Sequence, residues 1–427
     1  MKSKHSTESS SHSPDNVLLV GIDWADSKHD LTVIDRGNVK RLRIDSDAEA
    51  ICKMVSDLSN LAAGRQIAVC LEKGRVGIIH HLMLRDNVVL YPVDPKQAAR
   101  YRESFSSSGA KDDARDSYYL ARMLQERRGE MKPMKPDDPL TRRISLLCQT
   151  RRQIVDERTA VIQRLTSVLK TYHPLLLDLP GNKLTTGLKV ELLRRYADPR
   201  KLKRAHPETL KKLFRRHRCG NDDQIDELID KVRTTPLMSS DAALIEPLTI
   251  RVQTLAAQLK TLIDGVQKLD SQIASAMQQH PDAKLFENLP GAGPALAPRL
   301  LSALGSNRDR WANASELGSY SGILPVTRQS GKTKHVSRRR ACPKYLRQTF
   351  HEFADFARKY SPWSSAYYAL QRSRGMKHHA AIRKLASRWQ RILLSIWKKR
   401  IAYDEARYSR IMQQSIPEIM NFWPTEN

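Results

Sequence analysis

At 427 residues the chain is too long for a single hydrophobic core, which seldom grows past roughly 250 to 300 residues, so two or three domains are expected. It is 40% hydrophobic and 28% charged, and no run approaches the roughly 18 apolar residues of a bilayer span, which argues against a helical membrane protein. The formal net charge of +27, from 73 Lys and Arg against 46 Asp and Glu, argues against a basic partner and for a polyanionic one.

That charge is concentrated. Residues 331–400 hold 19 Lys or Arg and only two acids, Glu352 and Asp355, so +17 of the +27 sits in one stretch. A solvated basic face would account for a diffuse excess, but a concentration of this kind is a footprint for phosphate. If about six to ten of these charges meet phosphates, affinity should fall by about three to five decades between roughly 50 and 200 mM salt. The cysteines Cys52, Cys70, Cys148, Cys219 and Cys342 lie far apart without a CxxC pair. Neither a disulfide scaffold nor a cysteine zinc site is expected, and reduced thiols in a cytoplasmic protein are the plain reading.

In chain order, residues 1–16 read as a disordered tail without the apolar core of a secretory signal. VLLVGID, HDLTVID and NVKRLRID, over 17–45, read as three strands of a meander. A helical pattern follows at about 47–63, a buried strand at 66–72, a short helix near 75–85, a strand at 88–93 and a helix from near Lys111. Three strands followed by alternating helix and strand is the element order of an α/β fold of the RNase H-like type, assigned to 17–130. The proline-rich GEMKPMKPDD at 130–139 marks a boundary.

A helical, coiled-coil region is expected over 131–280. Apolar residues recur by threes and fours from Leu140 to Tyr172, with Arg151 and Arg158 at two seam positions. They recur more regularly at Ile245, Leu248, Val252, Leu255, Leu259, Leu262, Val266, Leu269, Ile273 and Ala276. The two helices could pair within the chain, which is the favoured reading, or across a dimer. Between them, 174–237 reads as an insert of short basic helices, either a nucleic-acid holder or a surface cap. Residues 281–405 form a mostly α-helical C-terminal domain and 406–427 a tail. This domain holds LPGAGP at 289–294, which resembles a helix-hairpin-helix turn, a helix around 313–320, the loop SGILPVTRQSGKTK, and helices near 343–359 and 376–402.

Chemistry enters with the acids. Asp23 follows an apolar strand in VGIDWA and Glu72 does so in VCLEKG, and a carboxylate beside an apolar run is costly to bury unpaired. Asp113 and Asp116, three apart in KDDARDSYYLARML, share a helix face. Packed on the sheet, the four would converge, and converging carboxylates need a cation to stay ionised. Oxygen ligands select hard ions, so Mg²⁺ (or Mn²⁺) held by Asp23, Glu72, Asp113 and Asp116 would suit phosphodiester chemistry. Singly, each acid also fits a cap, a turn or a surface charge, and Asp26, Asp30, Asp94 and Asp112 are competitors.

These motifs, GIDWADSKHDLTVID, Glu72 and KDDARDSYYLARML, resemble the DEDD-type transposase domain of the insertion-sequence family numbered one hundred and ten, related to the Piv and MooV DNA invertases. The C-terminal half is similar to that family's second domain through LPGAGPALAPRLLSALG, ELGSYSGILPV, RQSGKTKHVSRRR and KYLRQTF. The likeness covers about 17–130 and 285–400. It implies a transposase or site-specific recombinase that excises and inserts an element. The four carboxylates would act in an RNase H-like, RuvC-like domain, with Ser330 of RQSGK as the nucleophile that joins covalently to DNA.

The resemblance also implies a non-coding guide RNA. Strand transfer between two DNA partners implies a homodimer or homotetramer, to which the 245–276 seam could contribute, in a bacterial cytoplasm at the nucleoid. Arg328, Lys332, Lys334, Arg338, Arg339, Arg340, Lys344 and Arg347 are the expected nucleic-acid contacts, and Gly331 would let a phosphate approach the backbone. Ser321 and Ser337 are the alternative nucleophiles. Departures from the family pattern are Asp112 for threonine, Ser117 for alanine, Ala341 for glycine, and the long 174–237 insert. A metal-only junction nuclease and a catalytically silent nucleic-acid-binding protein are the competing expectations.

Overall fold

The structure, a computed structural model, describes residues 16–72, 76–105, 113–181, 183–331 and 333–424, and of Val76, Asp113 and Ala114 the backbone alone. The chain divides into two compact units, Met1–Pro136 and Asp137–Asn427. The first is a mixed α/β sheet with its helices, and the second is mostly helical.

In the first unit β1 (Val17–Trp24), β2 (Lys28–Asp35) and β3 (Asn38–Asp45) form the expected antiparallel meander. They are followed by α1 (Ala48–Ala62), β4 (Gln66–Glu72), α2 (Val76–Leu82), β5 (Val88–Val93), α3 (Pro95–Glu103) and α4 (Asp113–Arg127). The strand order is β3-β2-β1-β4-β5, with β1, β4 and β5 parallel. Because successive strand residues point to opposite faces, Leu18, Val20 and Ile22 join Ile67, Val69 and Leu71 against α1. Leu19, Ala68, Cys70 and Tyr91 pack with Leu120, Ala121 and Leu124 of α4 on the other side. A strand buried on both faces reads as a continuous apolar run, which is why β1 and β4 were legible.

The α3 helix was not expected, because PKQAARYRE carries only one buried residue, Tyr101. Its start is local chemistry: proline in the first turn, and Asp94 accepting from the Lys96 N–H at 3.0 Å. Asp94, a competitor for the acid cluster, is thereby an N-cap.

The second unit opens with α5 (Pro139–Tyr172), continues through the short helices α6 (Leu175–Asp178), α7 (Gly187–Arg195), α8 (Pro199–Lys203), α9 (Pro207–Arg216) and α10 (Asp222–Thr234), and returns along α11 (Ala242–Gln279). At 34 and 38 residues, α5 and α11 are roughly 50 and 57 Å long by the 1.5 Å rise. They run antiparallel: Arg143 meets Gln272, Arg151 meets Asp270, and Ile154 lies under Gly265. Seam residues Ile245, Val252, Leu255, Leu259, Val266, Ile273 and Ala276 are buried within the chain. The pairing is therefore intrachain, and these residues are not available to bind a second copy.

Two cores form along this helix pair. At one end, Leu165, Leu169 and Tyr172 pack with Leu255 and Leu259 and with Leu192, Leu210, Phe214, Ile225 and Ile229 from α7, α9 and α10. The 174–237 insert thus packs as short helices on this end of the pair, and several of its cations are paired: Arg200 with Asp198, Lys211 with Asp226, Arg215 with Asp222, and Arg216 with Glu191. His173, which caps the end of α5, is 3% exposed and donates from Nε2 to the Tyr196 carbonyl at 3.2 Å. Burial holds it down to about 4, against that hydrogen bond and Asp198, which both raise it.

Between pH 6.5 and 4 the unfolded histidine therefore binds a proton that the folded one refuses. Stability is fully present above the unfolded value and is lost as pH falls through that window, by about 3 kcal/mol at most. His173→Gln should flatten the acid limb of the melting temperature between pH 7 and 4.5. An unchanged limb would assign the sensitivity elsewhere.

At the other end of the pair, buried His280 ties the two helices together. Its Nδ1 accepts from the Asp282 N–H at 3.1 Å, so its Nε2 carries the hydrogen and donates to Thr141 Oγ1 at 2.9 Å. That hydroxyl donates to Asp138 Oδ2 at 2.6 Å, at the N-cap of α5.

Here the C-terminal helices build the second core: α12 (Ala283–Glu287), α13 (Gly293–Leu304), α14 (Ala314–Tyr320), α15 (Lys344–Tyr360), α16 (Pro362–Ser373), α17 (His378–Lys399) and α18 (Glu405–Ser415). Trp363, Trp389 and Trp397 are fully buried at its centre, with Ile144, Cys148, Ile273 and Met277 from the helix pair. Residues after 405, expected as a tail, include α18 and a 3-10 turn at Pro417–Phe422 that bury Met412 and Ile419. The expected loop after α14 is instead a hairpin of β6 (Val326–Ser330) and β7 (Thr333–Ser337). The LPGAGP turn packs inward, for a Cβ at Gly291 would lie 2.9 Å from the Phe356 backbone on α15. Among the described residues no helix is long and apolar enough to cross a membrane.

Candidate active site

The carboxylate cluster follows from strand parity. Asp23 lies two residues beyond Gly21 on the β1 face that α4 covers, and Glu72 lies two residues beyond Cys70 on the same face of β4. The parallel register pairs Ile22 with Leu71, so both acids stand at the ends of adjoining strands. Over them comes the start of α4, with Asp113 as its first residue and Asp116 one position before Ser117. The helix lies directly on the strand. A Cβ at Gly21 would come 2.0 Å from the Ser117 carbonyl oxygen and 2.4 Å from the Ala121 nitrogen, an approach that glycine alone permits. Ser117 adds a buried hydroxyl pair with Thr32 at 2.9 Å, so the departure from alanine at that position is accommodated by a hydrogen bond.

Glu72 and Asp116 line one pocket with Ala98, Tyr101, Arg102, Tyr119, Leu120 and Met123. The Trp24 indole N–H, bonded to the Glu72 carbonyl at 3.2 Å, ties the two strand ends together. Asp113's side chain and the whole of Asp112 lie outside the described residues. Of the competitors, Asp30 pairs with Asp23 across the strands but is held by Arg43 at 2.8 and 3.0 Å, and Asp26 lies in the exposed turn after β1.

Sequence reasoning missed Arg102. Its Nη1 donates to both Asp116 oxygens at 2.6 Å. Those hydrogen bonds, with the charges of Asp116, Glu72 and Glu103, raise its pKa against the opposing effect of burial. The missed helix explains the missed residue: once α3 exists, Arg102 in its last turn reaches α4. Among the described residues no group of three metal-ligating side chains is assembled. The carboxylates themselves are hard oxygen donors of the kind a divalent cation takes: Glu72 and Asp116 in the pocket, beside Arg102 and Met123, and Asp23 at the adjoining strand end.

Ser330 is the last residue of β6, exposed at the tip of the hairpin and paired with Thr333. Gly331, at φ 54°, takes the left-handed conformation that a tight hairpin turn demands. The register sets Arg328 opposite His335 and Gln329 opposite Lys334. Arg328 and His335 therefore share Ser330's face, while Lys334 stands on the other. His335, exposed and diagonal to the serine, was not singled out from the sequence, because a loop offers no faces to share. Ser321 is fully buried, donating to the Gly318 carbonyl at 3.3 Å and accepting from Gln390 at 2.8 Å, which removes it as an accessible nucleophile. Ser337 ends β7, partly exposed.

Of the expected nucleic-acid contacts, Arg328, Lys334, Arg338, Arg340 and Lys344 are exposed and Arg339 and Arg347 half-buried, while Lys332 lies outside the described residues. Within 331–400 only Arg358 and Arg374 carry a carboxylate partner among the described residues, Asp355 and Glu418. The positive excess is thus left largely uncompensated by the fold.

Residues 20–174 match the family model of the IS110-type DEDD domain, described as transposase, and residues 283–369 match that of the transposase IS116/IS110/IS902 family. The first span contains Asp23, Glu72, Asp113 and Asp116, and the second contains Ser330. A mini-circle transposase for IS117 from Streptomyces coelicolor is 26% identical over 400 residues, covering 91% of this chain and 96% of the relative. A 43.6 kDa protein of insertion element IS110 from the same organism is 24% identical over 360 residues, covering 84% and 88%. A 42 kDa protein of insertion element IS900 from Mycobacterium paratuberculosis is 23% identical over 400 residues, covering 91% and 98%.

Proposed function

Since the chain belongs to the IS110 family of transposases and is on that ground a DNA transposase, we propose that it excises and inserts an insertion sequence through metal-assisted strand cleavage and a covalent serine–DNA intermediate. The observation that carries this is the placement of Asp23 and Glu72 at adjoining strand ends under the start of α4, with Glu72 and Asp116 in one pocket. The strand order β3-β2-β1-β4-β5 with a helix crossing its face supports assignment of the first unit to the RNase H-like type.

Asp23, Glu72, Asp113 and Asp116 would hold Mg²⁺ or Mn²⁺. A divalent ion held there would supply positive charge to offset that developing on the phosphate and would raise the acidity of an attacking hydroxyl. Arg102 would have to release Asp116 to let that carboxylate turn to the ion, and its freed guanidinium would lie within reach of a phosphate.

Ser330 Oγ forms the new bond to phosphorus while the bond from phosphorus to the leaving strand oxygen breaks. The serine proton must be taken up and the leaving oxygen protonated. A serine alcohol is a weak nucleophile until its proton is removed, and His335 on the same hairpin face is a base of suitable type. Arg328 on that face, and Arg338, Arg339, Arg340, Lys344 and Arg347 beyond β7, would bind the DNA backbone or that of a guide RNA. Several copies of the chain, as dimer or tetramer, would serve the two DNA partners of strand transfer.

The test uses the full-length chain, DNA carrying both element ends and either metal. Glu72→Gln and Asp116→Asn should each lower strand cleavage by about a thousandfold or more, a loss of roughly 4 kcal/mol in transition-state stabilisation, while leaving DNA affinity within a few-fold. Cleavage surviving in both variants would place the catalytic centre elsewhere.

A further inference from the structure

The basic stretch is not uniform, and one part of it is built differently from an exposed fringe. Helices α15 and α17 meet through histidines: the rings of His351 and His379 lie 5.4 Å apart, and His378 lies 4.9 Å from His379. His378 is in turn held at Nδ1 by the Tyr368 hydroxyl of α16 at 2.8 Å. Arg347 stands one turn before His351 on α15 and Arg383 one turn after His379 on α17, so two guanidiniums flank the histidine contact.

Neither has a carboxylate partner among the described residues. Arg347 donates to the Arg339 carbonyl and to Cys342 Sγ, both at 3.4 Å. Arg383, half-buried, makes no hydrogen bond or ion pair with the described residues. Asp355, whose charge acts on His351, is engaged by Arg358 at 2.7 Å. The local potential is strongly positive. Burial, then the charges of Arg338 and Arg347, lower the pKa of Arg383. Burial, then His379 and Arg383, with His378 weaker, lower that of His351, against Asp355, which raises it.

Three guanidiniums without a carboxylate partner among the described residues, two of them half-buried, cost stability unless an anion completes the set. Guanidinium forks match phosphate oxygens in pairs. We infer that Arg383, with Arg347 and Arg338, forms a niche that holds one phosphodiester of a nucleic-acid strand at the base of the Ser330 hairpin, where Arg338 directly follows β7. The occupant is a strand and not a free ion, because Arg339, Arg340 and Lys344 continue the positive surface along the same connection. This deepens the transposase reading and rests on it only for the strand's identity.

The test measures binding of full-length protein to single-stranded DNA and RNA oligonucleotides across a salt series, together with thermal melting. Arg383→Gln is expected to weaken binding by about tenfold, the loss of one charge-assisted contact. It should also reduce the slope of log affinity against log salt by about 0.7 and melt at or above the wild-type temperature, since a crowded charge is relieved. Lys384→Gln, an exposed neighbour on α17, is expected to change affinity less than threefold.

Wild-type-like affinity in Arg383→Gln, a loss equal to that of Lys384→Gln, or a loss accompanied by a lowered melting temperature would overturn the niche while leaving the transposase reading in place. Inorganic phosphate that raises the melting temperature only when Arg383 is present, without any oligonucleotide effect of the variant, would assign the niche to a free ion and overturn the strand. A wild-type chain that binds no nucleic acid would overturn the broader reading itself.

Discussion

Ser330→Ala is expected to abolish covalent protein–DNA adducts, with a fall in excision of at least about a thousandfold, because no other atom at that position can bond to phosphorus. The side chain is exposed at the hairpin tip, so its removal should change stability by less than about 0.5 kcal/mol and leave nucleic-acid binding intact. Adducts trapped after denaturation report the nucleophile directly. Ser337→Ala should keep them, and Ser321→Ala should lower stability without moving the adduct, since Ser321 is a buried partner of Gln390. Adducts that persist in Ser330→Ala would place the nucleophile elsewhere. Recombination that survives there but is lost in Asp23→Ala would favour a nuclease using the carboxylates alone.

Gly21→Ala should be among the most damaging single changes in the first unit. The added methyl would sit 2.0 Å from one backbone atom of α4 and 2.4 Å from another, and backbone cannot swing aside as a side chain can. Overpacking a core typically costs about 1 to 3 kcal/mol, and displacement of a whole helix belongs at or above the top of that range. The same shift moves Asp113 and Asp116 away from the strand ends, so cleavage should fall with stability. Amide exchange is the discriminating measurement: α4 and β1 should lose protection in the variant while α5 and α11 keep theirs. Normal protection in Asp113–Arg127 would mean that the helix tolerates the methyl and that the close contact is not a constraint.

The legibility of these features differs for physical reasons. The strands and long helices were readable because burial imposes a period: two-sided burial makes β1 and β4 continuous apolar runs, and the 245–276 seam repeats by threes and fours. Sequence could not say what that seam faces, since an apolar stripe is satisfied equally by its own chain or another. Contact with α5 decided it. The short elements were misread where the local pattern was polar or aperiodic. PKQAARYRE became a helix through its caps, and the Ser330 loop became a hairpin through turn geometry. Both errors hid a residue: Arg102 beside Asp116 in the first case, His335 on the serine's face in the second.

By itself the sequence marked out the candidates for chemistry: acids at the ends of apolar strands, a serine before a glycine, and a basic excess concentrated in seventy positions. Those properties are local, written in side-chain type and in spacing along the chain. Tertiary structure alone decided partnership. It set Asp116 against Arg102, laid α4 on Gly21, buried Ser321, and left Arg347 and Arg383 without a carboxylate among the described residues. Which charges are answered and which are left for a ligand depends on distances between segments far apart in the chain, and only the packed fold sets those distances.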